Sequence, residues 1–371
     1  DMKSAASGEQ KKLKFFIWLL MLVLVLSGCG QKTKSDAVQG PEKRGITDAA
    51  GRVVQPPQKV ERIACLWAMS GHTVVMLGRG EQIVAVAQGL KRDIILNLLA
   101  PSIAAAEAPM AGGSINIETL LKTNPDIIFI TYDVYHNENE RMKLEQTGIP
   151  YVVIGYASIA QQQQTIELIG EMVGAKEKAV KYNDYYRRCV DLVQSRLGDV
   201  PREAKPRVYH ALVEPLKTDG TPSLSNDWLN TAGAINMSGD GQVKMLSKGN
   251  DTVISLEQII AWQPQVIIVN EDGVAEAIKQ NPQWQSIEAV QSGRVWQMPV
   301  GISRWGHPGS LETPLAILWT AKMLYPEKFA DVDMRRELKD FYREFFGLDV
   351  TDEMADQILR GKGRIGKKAK Q

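Results

Sequence analysis

The chain has 371 residues, of which 44% are hydrophobic and 23% are charged. This length is too great for one ordinary core and fits two domains plus extra segments, and the composition excludes wholesale disorder. The 44 Lys and Arg residues nearly balance the 43 Asp and Glu residues, so nucleic-acid binding, which usually requires a basic excess, is not expected.

The N-terminal segment has the pattern of an export signal. Three lysines precede an apolar run at residues 15–26, and a leucine, a serine and a glycine lead directly to Cys29. The run is shorter than the roughly 20 residues of a membrane span, and its order of basic, apolar and small residues is typical of a signal peptide. The last four residues resemble the bacterial lipobox, which implies a lipidated Cys29; a signal anchor with an incidental cysteine is the alternative. We predict a signal peptide over residues 1–28, then Cys29 and a polar tether over residues 29–45, in an exported protein anchored on the extracytoplasmic side of a membrane.

Only Cys65 and Cys189 remain besides Cys29, which excludes a scaffold held together by several disulfides. Each is expected to be a small buried apolar residue, and whether the two pair stays open. The sequence contains no CxxC or HExxH motif and no cluster of His and Cys, which argues against a structural zinc site.

A repeat organises the middle of the chain. Residues 115–130 resemble residues 254–269 at a constant offset, because Glu118 and Glu257 are 139 positions apart, as are Pro125 and Pro264. Each copy predicts a short helix that stops before the proline, followed by a strand that is apolar on both faces. Such strands belong to parallel sheets covered by helices. With further strand-like runs at residues 62–66, 151–154, 207–212 and 295–299, the repeat predicts two similar parallel-sheet α/β lobes.

One long helix is predicted between the lobes. The segment from Lys176 to Leu197 contains no Pro or Gly and has apolar residues at a spacing of three to four. It predicts a helix of about 22 residues and about 33 Å, stiffer than a hinge of several strands. The predicted organisation is a first lobe, the linker helix, a second lobe, and C-terminal helices with a basic tail, over residues 46–175, 176–198, 199–330 and 331–371.

This layout resembles the helical-backbone class of periplasmic binding proteins, which serve ABC importers of ferric siderophores, haem and vitamin B12. The resemblance rests on the repeat, the linker helix and the segment at residues 60–63, and it covers about residues 46–326. It implies a substrate-binding protein that works with permease subunits and has no intrinsic cofactor; we expect a monomer. It also implies that Glu118 and Glu257 pair with arginines of the permease. The alternative is that each is simply a solvated acid that is favourable at a helix start.

Aromatic, arginine and histidine residues follow the predicted strands. Ligands of open α/β sheets bind outside the carboxyl ends of the strands, so the loops of both lobes are expected to face one cleft. These residue types suit a large, partly apolar, anionic metal chelate, because rings pack on its faces and guanidinium groups bind its oxygens. Ligand contacts are predicted for Trp67, His72, Arg92, Tyr132, Tyr135, His136, Arg304, Trp305 and His307.

The segment containing Arg304, Trp305 and His307 is the most unusual of these. Glycines flank it, and Pro308 restricts the backbone of His307 to an extended form. An exposed Trp305 is predicted to contact the ligand, whereas the alternative places its ring under a neighbouring helix. His72 and His307 are weak candidates for direct metal ligation, because a lone histidine is more often a hydrogen-bonding residue.

The ligand itself stays open at this stage. An iron complex such as a ferric siderophore is the first expectation, since such cargo is the commonest in the class that the chain resembles, with haem and cobalamin as alternatives. A binder of free Zn or Mn would require several converging histidines and carboxylates, and the four scattered histidines count against it. An exported α/β enzyme would require a nucleophile elbow, a zinc motif or a glycine-rich phosphate loop after a strand. None is convincing, so no enzyme is expected.

Overall fold

The computed structural model describes residues 45–239, 246–248 and 251–362. The predicted signal peptide, Cys29, nearly all of the tether and most of the basic tail lie outside the described residues. Within the described part, no helix combines the length and the apolar character needed to cross a membrane.

The first lobe is built on a four-stranded parallel sheet, which confirms the predicted fold. Its strand order is Ile83–Val86, Ile63–Cys65, Ile127–Thr131 and Tyr151–Ile154. The strand residues are nearly all buried because helices cover the sheet. These helices are Ala68–Met76, Ile94–Leu99, Ser102–Ala105, Ile117–Lys122, Tyr132–His136, Glu138–Thr147 and Ile159–Met172. Two small antiparallel pairs flank the lobe, Ile46–Thr47 with Val53–Val54 and Met110–Ala111 with Ser114–Ile115.

The second lobe repeats this topology. Its parallel sheet has the strand order Ile235–Asn236, Arg207–Ala211, Val266–Val269 and Val295–Gln297, so in both lobes the first strand in sequence lies second in the sheet. Its helices are Leu224–Thr231, Leu256–Trp262, Val274–Gln280, Glu288–Gln291 and Thr313–Leu324. A small antiparallel sheet is added with the order Lys217–Thr218, Asp251–Val253 and Leu246–Lys248.

The sequence repeat is reproduced in the local backbone. The two repeated helices begin after Asn116 and Ser255, whose side chains accept hydrogen bonds from backbone N–H groups of the first turn at 3.0 and 3.2 Å. The helices are followed by Asn124 and Gln263, which have positive φ values of 44° and 45°. A residue other than glycine seldom adopts this conformation. Its recurrence at matching positions, each directly before a proline, indicates a duplicated structural unit.

The linker helix spans Lys176–Leu197, as predicted, and its 22 residues end at Gly198. It packs against Ile159–Met172 of the first lobe and Thr313–Leu324 of the second. Cys189 on this helix and Cys65 in the first sheet are both buried free thiols, which confirms their expected role. Burial raises the pKa of each thiol to about 12.

The predicted C-terminal helices are Met334–Phe346 and Asp352–Leu359, separated by a turn at Gly347, which has a φ of 63°. The first of them packs onto the linker helix, and the second packs onto the first. The rings of Phe341 and Phe345 lie with centroids 6.4 and 5.4 Å from that of Tyr182.

Candidate ligand site between the lobes

A loop that follows the last strand of the second sheet is held by both lobes. We call residues 301–310 the interlobe loop. From the second lobe, the side chains of Asn270 and Trp228 donate to its carbonyl groups at 3.0 and 2.9 Å. From the first lobe, Gln162 donates to another of its carbonyl groups at 2.9 Å, and the Tyr156 hydroxyl donates to a further one. The loop therefore lies where the carboxyl ends of both sheets meet, as expected for a ligand site.

His72 connects the two lobes and is not free to bind a ligand. It lies within the helix Ala68–Met76, not in a loop as predicted, and it is buried. Its Nδ1 donates to the Gly309 carbonyl at 3.0 Å, and its Nε2 lies 3.3 Å from an Asp93 carboxylate oxygen. Burial alone would lower the pKa of His72, but the hydrogen bond and charge of Asp93 outweigh it and the pKa is raised. Both ring nitrogens therefore face an acceptor within the protein, which argues against the predicted ligand contact and metal ligation by His72.

His307 presents a hydrogen-bond donor. Its Nδ1 accepts from the Gly309 N–H at 3.3 Å. Burial, reinforced by the nearby Arg304 guanidinium, lowers the pKa of His307 to about 3, so the ring is neutral at physiological pH. A neutral imidazole that accepts at Nδ1 carries its proton on Nε2. Metal ligation through Nε2 would require the other tautomer and would break the bond to Gly309, so this structure favours donation over the weakly predicted metal ligation.

Arg304 is a partly exposed cation at the same site. Its Nη1 pairs with the Glu271 carboxylate. Its Nε is buried and has no acceptor among the described residues. Guanidinium groups bind carboxylates and oxyanions through two neighbouring N–H groups. Since the Glu271 contact uses only Nη1, the Nε–H is left without an acceptor among the described residues.

Trp305 is fully buried, so the prediction of an exposed loop tryptophan is wrong. The loop folds back, and the backbone N–H of Trp305 donates to the Pro299 carbonyl at 3.1 Å. This places the large Trp305 ring in the core. Its indole Nε1 is also buried without an acceptor among the described residues. Trp228, on the helix Leu224–Thr231, is fully buried as well.

A cavity of about 610 Å³ opens at the carboxyl ends of the last two strands of the first sheet. It is lined by Tyr132, Tyr156 and Gln161, among others. The Trp67 ring lies with its centroid 5.4 Å from that of Tyr156, whose hydroxyl reaches the interlobe loop. Tyr156 is not among the predicted ligand contacts, although it follows the strand Tyr151–Ile154, where the strand-end rule places ligand contacts.

Apart from Tyr132, the predicted contact residues do not line this cavity. Tyr135 lies under the guanidinium groups of Arg52 and Arg141, which are 5.3 and 5.5 Å from its ring centroid. Arg92 and His136 are exposed and do not line it. Across the described ranges, no three His, Cys, Asp or Glu side chains are grouped so that they could hold a metal ion.

Residues 72–300 match the family model described as periplasmic binding protein. The chain belongs to this family. It is thus a substrate-binding protein of an ABC importer, as its resemblance implied. The molybdate-binding protein MolA of Haemophilus influenzae is 27% identical over 351 residues, covering 88% of this chain and 95% of MolA. The structure of MolA bound to molybdate superposes with a TM-score of 0.74 at 28% identity, covering 83% of this chain and 99% of that one.

Two further relatives of this binding protein carry different names. An uncharacterized ABC transporter substrate-binding lipoprotein of Bacillus subtilis, YvrC, is 23% identical over 328 residues, which cover 85% of this chain and 98% of YvrC. The vitamin B12-binding protein of Vibrio cholerae is 24% identical over 244 residues, which cover 65% of this chain and 82% of that protein. The names of these relatives are those of binding proteins and not of enzymes.

Proposed function

We propose that this binding protein captures an anionic metal species at the interlobe loop and delivers it to its permease. The observation that carries the proposal is the pairing of Arg304, whose Nε lacks an acceptor among the described residues, with a neutral His307 that presents its Nε2–H. Both side chains belong to a loop that the two lobes hold jointly. A cation next to neutral donors attracts an anion without placing a lone pair toward a bare metal ion.

A metal oxyanion such as molybdate is the first candidate cargo. It takes precedence over the ferric siderophore expected from the sequence, because MolA is named for molybdate and matches this chain over most of both lengths. The available donors also suit a small oxyanion, since the guanidinium edge and one imidazole N–H can each bind an oxygen.

A bulky chelate, such as an iron complex, haem or cobalamin, is the second candidate. The observation that favours it is the cavity of about 610 Å³ with Tyr132 and Tyr156 in its wall. Such a volume is within the usual range of sites for drug-sized ligands, and aromatic rings suit the faces of a large chelate. The vitamin B12-binding relative is consistent with cargo of this size.

Delivery is proposed to use Glu118 and Glu257. Both carboxylates are exposed, and each lies in the first turn of its repeated helix, so the two lobes present matching acidic groups. Pairing with basic residues of the permease would set orientation and association rate more than affinity. We also propose that Cys29 carries a lipid anchor, with YvrC, named as a lipoprotein, in support. The protein is proposed to have no catalytic activity and no intrinsic cofactor.

The test is isothermal titration of the purified protein with molybdate, tungstate, sulfate, a ferric siderophore, haem, cobalamin, Zn²⁺ and Mn²⁺. Saturable binding of molybdate or tungstate without binding of the chelates supports the first candidate. Binding of one chelate alone identifies the second. Tight binding of a bare divalent ion alone would refute an anionic cargo, as would the absence of binding across the whole panel.

A further inference from the structure

The interlobe loop is fixed by residues from a part of the chain outside the family match. That match ends at residue 300, whereas the C-terminal helices occupy residues 334–359. The Val300 N–H, at the start of the loop, donates to the Ile358 carbonyl at 3.0 Å. The second C-terminal helix is therefore bonded directly to the backbone that leads into the site.

The stronger connection is a buried carboxylate, Glu312, under the loop. Its two oxygens accept from the Ile302 N–H at 2.8 Å, from the Ser303 N–H at 2.9 Å and from the Ser303 hydroxyl at 2.6 Å. Burial raises the pKa of Glu312, although hydrogen bonds from Ser303 and Tyr342 oppose this. Because all these groups donate to it, Glu312 fixes the conformation of the backbone directly before Arg304.

Tyr342 of the first C-terminal helix bonds both to Glu312 and to the same stretch of backbone. Its fully buried hydroxyl donates to Glu312 and accepts from the Ile302 N–H at 3.1 Å. The approach is so close that a side chain at Gly301 would overlap both the Tyr342 hydroxyl and the Glu312 carboxylate. A glycine at this position is thus required by space.

The Tyr342 ring is itself immobilised. It packs against Phe341 and Phe346 with centroids 5.5 and 5.9 Å away. Phe341 in turn contacts Tyr182 of the linker helix, whose hydroxyl donates to the Leu311 carbonyl at 2.5 Å. A continuous set of contacts joins the linker helix, the C-terminal helix and both ends of the loop.

We propose that the C-terminal helices position the interlobe loop together with the two lobes, and that Tyr342, acting through Glu312, is a positioning residue that sets ligand affinity without touching the ligand. This inference rests on the proposed function of the loop. Loss of the hydroxyl leaves one Glu312 oxygen with fewer donors and removes one of the two acceptors of the Ile302 N–H, so the loop spends less time in its binding conformation. Apparent affinity falls in proportion to the fraction of molecules that remain competent.

The test compares Tyr342→Phe with Tyr325→Phe as a matched control. Tyr325 lies in the second lobe, and its hydroxyl donates to the Gly233 carbonyl at 2.7 Å, away from the loop. Molybdate is titrated into each protein, and hydrogen exchange is followed at the Ile302 and Ser303 amides. We expect Tyr342→Phe to bind about tenfold more weakly, which corresponds to about 1.4 kcal/mol, and to exchange these amides faster, while Tyr325→Phe matches the wild type in both.

The two proposals can fail separately. If the wild type binds molybdate and Tyr342→Phe binds it equally well, the positioning role is overturned and the proposed function stands. If the wild type binds no ligand, the proposed function fails, and exchange at the two amides still decides whether Tyr342 holds the loop. Should Tyr342→Phe not fold, Gly301→Ala serves in its place, because the added methyl group displaces the same hydroxyl together with the Glu312 carboxylate that it holds. Slow exchange retained in that variant would overturn the inference.

Discussion

Replacing His72 with leucine is expected to weaken the connection between the lobes. The substitution removes the donors to Gly309 and Asp93, which lie 3.0 and 3.3 Å from the ring nitrogens. Leucine fills much of the space but leaves the Asp93 carboxylate buried without its counter-charge. Breaking a buried ion pair by removing one partner costs about 3–5 kcal/mol of unfolding free energy. The double variant His72→Leu with Asp93→Asn removes the uncompensated charge, so it should recover part of this loss.

The same pair predicts a pH dependence. Asp93 raises the pKa of His72 in the folded state. The contribution of protonated His72 to the free energy of unfolding is therefore fully present below the ordinary pKa of about 6.5, and it is lost as the pH rises through the pKa of the folded state. Burial also raises the pKa of Asp93, which acts in the same direction. If the folded state binds one proton more than the unfolded state, the free energy of unfolding should fall by at most about 1.4 kcal/mol per pH unit as the pH rises. The double variant should lose this dependence.

Urea unfolding between about pH 6 and pH 9, followed by both circular dichroism and tryptophan fluorescence, measures these effects and checks for two-state behaviour. His136→Leu, a change at an exposed histidine, is the control and should leave the slope unchanged. Equal stability of the single and double variants would show that Asp93 carries no unpaired charge. A wild-type slope retained in the double variant would refute the assignment of the pH dependence to this pair.

Three further outcomes are expected. Arg304→Lys keeps the charge but loses the two-pronged guanidinium geometry, so isothermal titration should show molybdate binding weaker by about tenfold or more; an unchanged affinity would place the ligand elsewhere. Glu118→Ala combined with Glu257→Ala should leave ligand titrations unchanged while slowing uptake in cells, and normal uptake would contradict the docking assignment. Trp305→Ala should lower the unfolding free energy by about 3–5 kcal/mol, because a fully buried ring is lost; a negligible change in urea unfolding would be incompatible with its place in the core.

Much of the architecture could be predicted from the sequence because it is encoded locally. The spacing of apolar residues between Lys176 and Leu197 predicted the linker helix to the residue, since helical neighbours lie three to four positions apart. The repeat likewise predicted two lobes, because the apolar strand, the proline and the glutamate recur within short segments. The exposure of Glu118 and Glu257 follows from the same local pattern. Each lies two positions before the buried residue of its helix and therefore on a different face of that helix.

The roles of individual site residues were decided by the tertiary structure. His72 and Gly309 are 237 positions apart, and Tyr342 and Ile302 are 40 apart, so no local pattern indicates that they meet. Trp305 was predicted to be exposed because its neighbours are polar and glycine-rich, yet the loop folds back and buries the ring. A sequence pattern shows which face of an element is apolar. Which polar atoms find partners, and which are left available to a ligand, depends on how distant segments pack against one another.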